Sequence, residues 1–501
     1  MRLQPFRAAA FAAAVACAGL VAAGVPPAAA YAAPVTRAPR VKLSPRTGPP
    51  TSTVRVSGSG FGAYRAVDIY FGTTDEALAA TNGNGAFSGV RIRVPASAVP
   101  GTHYITAVQR HSGRAAQARF LVNTNWAQDR YSASHSGLNP YENVLSPSNV
   151  SGLGLDWWRV ASGSLIGFRS SPAVVNGVVY IGYGDGKVQA LNAATGAEKW
   201  SYNTSGIVSS SPAVANRVVY VRSGLDLYAL NAATGAKEWS YTTAYDVSSS
   251  PTVANGVVYA AVGAGVYALN AATGAEKWSY NTGGIVYSSP AVANGVVYAG
   301  SPNRSLDALS AATGAEEWSY TPTGGDSFTF SSPAVANGVV YADSDIGVYA
   351  LNAATGAKKW SYTPTGDSFT FSPPAVANGV VYADSYNGTL YALNAATGAK
   401  EWSYTTGYTD GSSPALANGV LYIGSHTGVY ALNPATGAEE WSYTTGDSDF
   451  SSPAVANGVV YLGSNHVYAF GLPGGVEAVS RPASRQLHPN YALRPQNSTN
   501  P

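Results

Sequence analysis

Carboxylates and aromatic rings recur together at short spacing in the later part of this 501-residue chain. Asp326 precedes Phe328 and Phe330, Asp367 precedes Phe369 and Phe371, and Tyr408 is followed by Asp410. Aromatic faces stack on sugar rings or cations, and carboxylates accept hydrogen bonds from hydroxyl or amino groups. These residues are therefore candidate ligand-binding positions for carbohydrate or basic peptide. A structural explanation stands beside that one: Asp, Ser and Gly form turns, and the rings then pack inside their own loops. Calcium at Asp343-x-Asp345 or Asp447-x-Asp449 would need further oxygen ligands, since two carboxylates are too few.

No catalytic constellation accompanies these residues. Six histidines are present; His426 and His466 fall in loops of neighbouring repeats, where exposed histidines are common. There is no Ser/His/Asp spacing, no Walker loop and no HExxH. Neither a catalytic residue nor a metal site is assigned.

The loops carrying the candidates join copies of one repeat. The phrase LNAATGAEKWSY, first met at residues 191–202, recurs with tryptophans at Trp200, Trp239, Trp278, Trp318, Trp360, Trp402 and Trp441. A period near forty with strand-like content predicts a β-propeller. Each copy reads as four strands: SSPAVAN, then after Asn-Gly a GVVYAGS-like run, then VYALN, then after ATGA the run EKWSY. Asn-Gly between apolar runs is the signature of a tight hairpin, because both central residues need positive φ. At Asn216 the next residue is Arg217, so that turn is expected to be distorted or strained. First strands can be counted by Pro172, Pro212, Pro251, Pro290, Pro333, Pro374, Pro414 and Pro453. One fourth strand is missing, and residues 153–160, with Trp158 as the docking tryptophan, are expected to supply it. The fold class is all-β: an eight-bladed β-propeller over 153–471, with an N-terminal strand closing the last blade.

Burying a tryptophan removes about 150–250 Å² from water, on the order of 4–6 kcal/mol before entropy costs. Wedging Trp158 and the seven others between blades explains their repetition without a ligand.

Residues 41–122 show short alternating runs broken by Gly and Pro, the pattern of a small β-sandwich. Residues 43–62, ending in Phe61, resemble the bacterial immunoglobulin-like modules of the IPT/TIG type, which implies a spacer or adhesion role. Residues 123–152 form a polar connector whose Trp126, Tyr131 and Tyr141 are expected to pack on the propeller rim. Residues 472–501 lose all periodicity and are expected to be disordered. Residues 1–32 have Arg2 and Arg7 ahead of an apolar alanine-rich stretch, the form of a secretory signal peptide cut after Ala30 or Ala32. Cys17, the single cysteine, lies inside it, so the mature chain would hold no disulfide or thiolate site. No second long apolar run follows, and no membrane span is expected after cleavage. A net charge of +2 gives no reason to expect nucleic acid.

At ALNAATGAEKW, residues 190–200, the repeat resembles the tryptophan-docking motif of the pyrroloquinoline quinone (PQQ) propellers, usually A-x-D-x-x-T-G-K-x-x-W. The resemblance covers roughly residues 126–471. It is similar both to quinoprotein alcohol dehydrogenases and to non-enzymatic members such as the outer-membrane assembly protein BamB. Asn192 stands where that family usually has Asp, and Ala197 where it has Lys. In the dehydrogenases the resemblance implies a quinone on a tryptophan platform, a disulfide of adjacent cysteines in many members, calcium held by Glu, Asn and Asp, and an aspartate base. None of those groups can be matched here by motif, so neither PQQ nor calcium is expected. What the sequence supports is a secreted, non-catalytic binding or scaffold protein whose loop face takes a protein or cell-surface carbohydrate. The alternatives are a PQQ-dependent dehydrogenase and a purely structural surface protein.

Overall fold

The computed structural model describes residues 38–160, 170–243, 249–324, 326–367, 369, 372–407, 411–445, 447 and 450–474. The expected leader, the tail beyond 474, Phe371, Tyr408 and Asp410 lie outside the described residues. Regular structure among the described residues is β throughout, apart from a 3-10 turn at Val150–Gly152.

The repeat forms four-stranded antiparallel sheets in chain order. In the first, Ala173–Val175, Val178–Gly182, Lys187–Asn192 and Glu198–Asn203 pair in succession. Six more sheets of this order begin at Ala213–Ala215, Thr252–Ala254, Ala291–Ala293, Ala334–Ala336, Ala375–Ala377 and Ala415–Ala417, the last with Leu138–Asn139 as a fifth, parallel strand. The sheet that begins at Ala454–Ala456 has three strands of its own and takes Gly154–Val160 as its outer strand, against His466–Gly471. First strands of successive sheets touch, and that of the last sheet touches that of the first. The sheets thus form a closed β-propeller with the first strands around its axis.

The hairpin after each first strand has the backbone that Asn-Gly favours, with φ 52° at Asn176 and 76° at Gly177. Arg217 keeps the same turn at φ 70°, and its carbonyl accepts from Ala232 N at 2.8 Å, as the Gly177 carbonyl accepts from Ala193 N at 3.0 Å. That turn is strained without being distorted, because a side chain at positive φ crowds the following carbonyl.

Each docking tryptophan lies across a neighbouring sheet. Trp200 Nε1 donates to Ala232 O at 2.9 Å, and its ring covers Gly235, where a Cβ would come within 2.6 Å of it. Gly235 also has φ 73°, so ring and backbone both require glycine in the ATG turn. Trp239, Trp278, Trp318, Trp360 and Trp402 repeat the contact. Asn192 Oδ1 accepts from Ala194 N at 2.9 Å and Thr195 N at 3.2 Å, so the amide oxygen holds the turn where the related motif has a carboxylate.

The ring closure departs from this scheme in two places. Trp441 donates to Leu153 O, because the last sheet has no third-to-fourth turn for it to cover. On the strand from the N-terminal side, the docking residue is Trp157 and not Trp158. Trp157 pairs with Ala469, donates to Ala193 O at 2.9 Å and lies over Gly196. A register shift between Leu155 and Trp157 turns that side chain inward, leaving Trp158 53% exposed.

Residues 40–122 form two sheets over a shared core that includes Val54, Ile69, Ile105 and Phe120. Thr74–Ala80, a strand not anticipated from sequence, is an edge strand with two acids and little apolar alternation. This unit meets the propeller through Asn123 Nδ2 to Asn176 Oδ1 at 3.2 Å and Asn143 Nδ2 to Ala98 O at 3.0 Å.

Trp157→Ala is expected to cost roughly 3–5 kcal/mol, like any deep tryptophan truncation. Trp158→Ala should change stability by less than about 1 kcal/mol. Denaturant unfolding of the two variants checks the assignment, and equal losses would contradict it.

Candidate functional site

Residues 124–139 run around the inside of the ring, from sheet to sheet. The inner strand of each sheet has a partner on one side only, and the connector satisfies the other. Val174 N donates to Trp126 O at 2.6 Å, Val214 N to Ala127 O at 2.7 Å, Val292 N to Ala133 O at 2.6 Å and Val335 N to Ser134 O at 2.8 Å. Val376 N donates to Ser136 O at 2.8 Å and Leu416 N to Gly137 O at 2.7 Å. The third sheet is met by a side chain, with Val253 N donating to Gln128 Oε1 at 3.0 Å. At the last sheet Asn139 Nδ2 donates to Val455 O at 2.8 Å and to Thr124 O at 2.9 Å, tying the two ends of the segment together. The part of the connector that carries Trp126 and Tyr131 therefore lies inside the ring, while its later part reaches the propeller's end, where Asn418 Nδ2 donates to Leu145 O at 2.8 Å. Tyr131 folds back on Trp126, with ring centroids 5.4 Å apart.

Charge is enclosed with it. Arg130 is 1% exposed; its Nη1 donates to Ser332 O at 2.9 Å and its Nη2 to His135 Nδ1 at 2.5 Å. Thr252 Oγ1 donates to Pro290 O at 2.7 Å, so it accepts from His135 Nε2–H at 2.9 Å. Both ring nitrogens are then fixed in the neutral tautomer. Burial, followed by the Arg130 charge, accordingly holds His135 well below the usual imidazole range. Asp343 is also buried and accepts from Ser331 Oγ at 3.2 Å. Burial pushes its carboxyl up to about 7, against smaller opposing effects that include Ser331 and Arg130.

On the loop side of this segment a chain of serines links neighbouring sheets. Ser171 N donates to Ser211 Oγ, Ser211 N to Ser250 Oγ, Ser250 N to Ser289 Oγ and Ser289 N to Ser332 Oγ. Ser413 N to Ser452 Oγ and Ser452 N to Ser171 Oγ complete the circuit except at the sixth sheet. There Pro373 has neither N–H nor hydroxyl.

The loop face itself separates the candidate residues. Asp326 Oδ2 accepts from Tyr349 Oη and Ser344 Oγ, both at 2.8 Å. Asp367 accepts from Tyr391 at 3.0 Å, and Asp226 from Tyr228 at 3.0 Å. Asp447 accepts from Tyr468 at 2.8 Å and is 2.7 Å from His466 Nδ1. Asp326, Asp367 and Asp447 anchor their own loops to a tyrosine of the third strand, and Asp226 begins the same strand as Tyr228. Phe328 and Phe369, expected as stacking plates, are 0% and 1% exposed and rest on Tyr349 and Tyr391. Burying the ring gains more than holding it in water, so neither presents a face to a ligand. Phe330 is 36% exposed and stacks on Tyr287 with centroids 5.0 Å apart. Sequence reasoning missed the exposed Ile207, Leu225 and Ile346 on the same face, because single aliphatic residues in turns carry no spacing signal.

Among the described residues no three His, Cys, Asp or Glu side chains converge as metal ligands. No helix among the described residues is long and apolar enough to cross a membrane.

Asp343 gives a pH signature. Between about pH 4 and 7 the folded chain keeps a proton that the unfolded chain releases, so its contribution falls as pH rises through that window. Asp343→Asn, which has no proton to lose, should gain on the wild type by roughly 1 kcal/mol per pH unit across the window and no more above it. Denaturant unfolding at pH 5 and pH 8 measures the gap, and a gap independent of pH would contradict the assignment.

The fold has many solved relatives. A quinohemoprotein alcohol dehydrogenase, ADHIIG of Pseudomonas putida HK5, superposes with a TM-score of 0.60 at 18% identity, over 72% of this chain and 82% of that one. BamB of Moraxella catarrhalis gives 0.55 at 20% identity, over 64% and 98%. A europium-containing methanol dehydrogenase gives 0.61 at 14% identity, over 70% and 98%. Likeness at these identities is one of fold. No curated protein matches the chain in sequence. The family model described as outer membrane protein assembly factor BamB matches residues 151–246, 226–443 and 333–492. With the closed propeller and its docking tryptophans spanning the same stretch, the chain belongs to that family.

Proposed function

We propose that this chain is a non-catalytic binding or scaffold module that docks a protein partner on the loop face of its propeller. The observation that carries this reading is a set of exposed apolar side chains on the loops of that face, Ile207, Leu225, Tyr287, Phe330, Ile346 and Tyr386, with Tyr287 and Phe330 in contact. Apolar side chains clustered on one face mark interaction sites, and aromatics are enriched in protein interfaces. The opposite end is engaged by the connector and the sandwich. The family description, an assembly factor, favours a protein ligand over carbohydrate, as does the burial of Phe328 and Phe369. Among the described residues no cluster of three His, Cys, Asp or Glu side chains supports the dehydrogenase alternative.

On this reading residues 1–32 direct export, residues 41–122 are an IPT/TIG-type spacer, and the propeller works at or beyond the cell surface. Affinity capture with the wild type and a Phe330→Ser/Ile346→Asp variant as paired baits tests the docking face. A protein retained by the wild type is then purified and titrated against both. The proposal expects at least about tenfold weaker binding to the variant at unchanged melting temperature. Equal affinity would contradict it, and a saturable rise in melting temperature with PQQ and Ca²⁺ would favour the dehydrogenase.

A further inference from the structure

The fourth sheet breaks the repeat where its neighbours meet. At five seams a third-strand tyrosine rests on the fourth-strand tyrosine of the preceding sheet, whereas the first sheet has Gln189 at that position and Tyr443 rests on Phe470. Ring centroids are 5.8 Å apart for Tyr202 and Tyr228, 5.9 Å for Tyr241 and Tyr267, and 6.2 Å for Tyr320 and Tyr349. Tyr362–Tyr391 and Tyr404–Tyr430 follow the same rule at 5.7 and 6.1 Å. In Leu306–Ser310 the sequence is LDALS, with Asp307 in the tyrosine's place. Tyr280 of the third sheet therefore loses its partner ring, and a cleft of about 430 Å³ opens beside it.

The walls of the cleft are polar. Asn281, Asn303, Ser305, Asp307 and Glu316 line it with Tyr280, and no Lys, Arg or His does. Asp307 is 5% exposed; its Oδ1 accepts from Ser305 Oγ at 2.8 Å and Ser319 Oγ at 2.7 Å. Glu316 accepts from the Tyr280 hydroxyl. Burial, and in smaller part the Glu316 charge, push the Asp307 carboxyl up, so a cation entering the cleft would relieve an unfavourable local balance.

We propose that this cleft is a binding site for a hydroxylated ring bearing a primary amine, the chemistry of an amino sugar. The missing phenol leaves room for one six-membered ring against the face of Tyr280. Amide and hydroxyl walls favour a ring carrying hydroxyls over a phenyl ring, and their donors and acceptors match it. Two carboxylates without a basic neighbour select the ammonium group. The cleft opens between loops of the same face, but none of the apolar residues proposed to dock a partner lines it, so its test is read without them.

Calorimetric titration of the full chain with glucosamine, glucose and n-propylamine tests the site. The expected result is saturable binding of glucosamine, at least about tenfold tighter than either of the others, since each lacks one half of the recognition. Asp307→Asn should lose at least about tenfold of that affinity. Asp307→Tyr, which restores the repeat and refills the cleft, should abolish binding with no fall in melting temperature. No saturable heat with glucosamine, equal binding of glucose or n-propylamine, or unchanged glucosamine affinity in both variants would overturn the proposal.

Discussion

An inner strand of a propeller has a hydrogen-bonding neighbour on one side only, and its other edge faces the axis. A buried N–H left without a partner costs about 1–3 kcal/mol, and this ring would multiply that cost around its axis. Residues 124–139 remove it by passing from sheet to sheet and returning to Asn139, which binds Thr124 and Val455 together. Ring closure at the outer strand, Gly154–Val160 on His466–Gly471, comes directly after this segment in the chain. The same stretch of polypeptide thus fills the axis and then locks the last sheet.

Outside that axis the tryptophans set the spacing between sheets. Each indole covers a glycine at positive φ and donates to a carbonyl of the same turn, so one residue couples packing, turn geometry and hydrogen bonding. Where the turn is missing, Leu153 supplies the carbonyl for Trp441. The serine circuit adds a further tie near the axis. With the axis occupied and the sheets coupled by their tryptophans, the loop face is where the repeats differ from one another.

Repetition made much of this legible. Asn-Gly pairs, ATG turns and the tryptophan period specified strands, turns and the shared last sheet. Adjacent tryptophans defeated the assignment of the docking residue, since only the register shift after Leu155 decides between Trp157 and Trp158. The axial segment was not legible, because it acts mainly through backbone carbonyls, which any residue supplies. Loop aromatics were legible as a group but not one by one: Phe328 and Phe330 are two residues apart, and the loop path buries the first and exposes the second. Asp307 departs from the repeat, and the space it leaves depends on Tyr280 of the preceding sheet.

Hydrogen exchange at the inner strands tests the central claim most directly. If residues 124–139 are built into the ring, the amides of Val174, Val214, Val253, Val292, Val335, Val376 and Leu416 should exchange only through global unfolding. Exchange of those amides at the rate of open loops, while the outer strands stay protected, would mean that the segment is not held in the axis and would contradict the account.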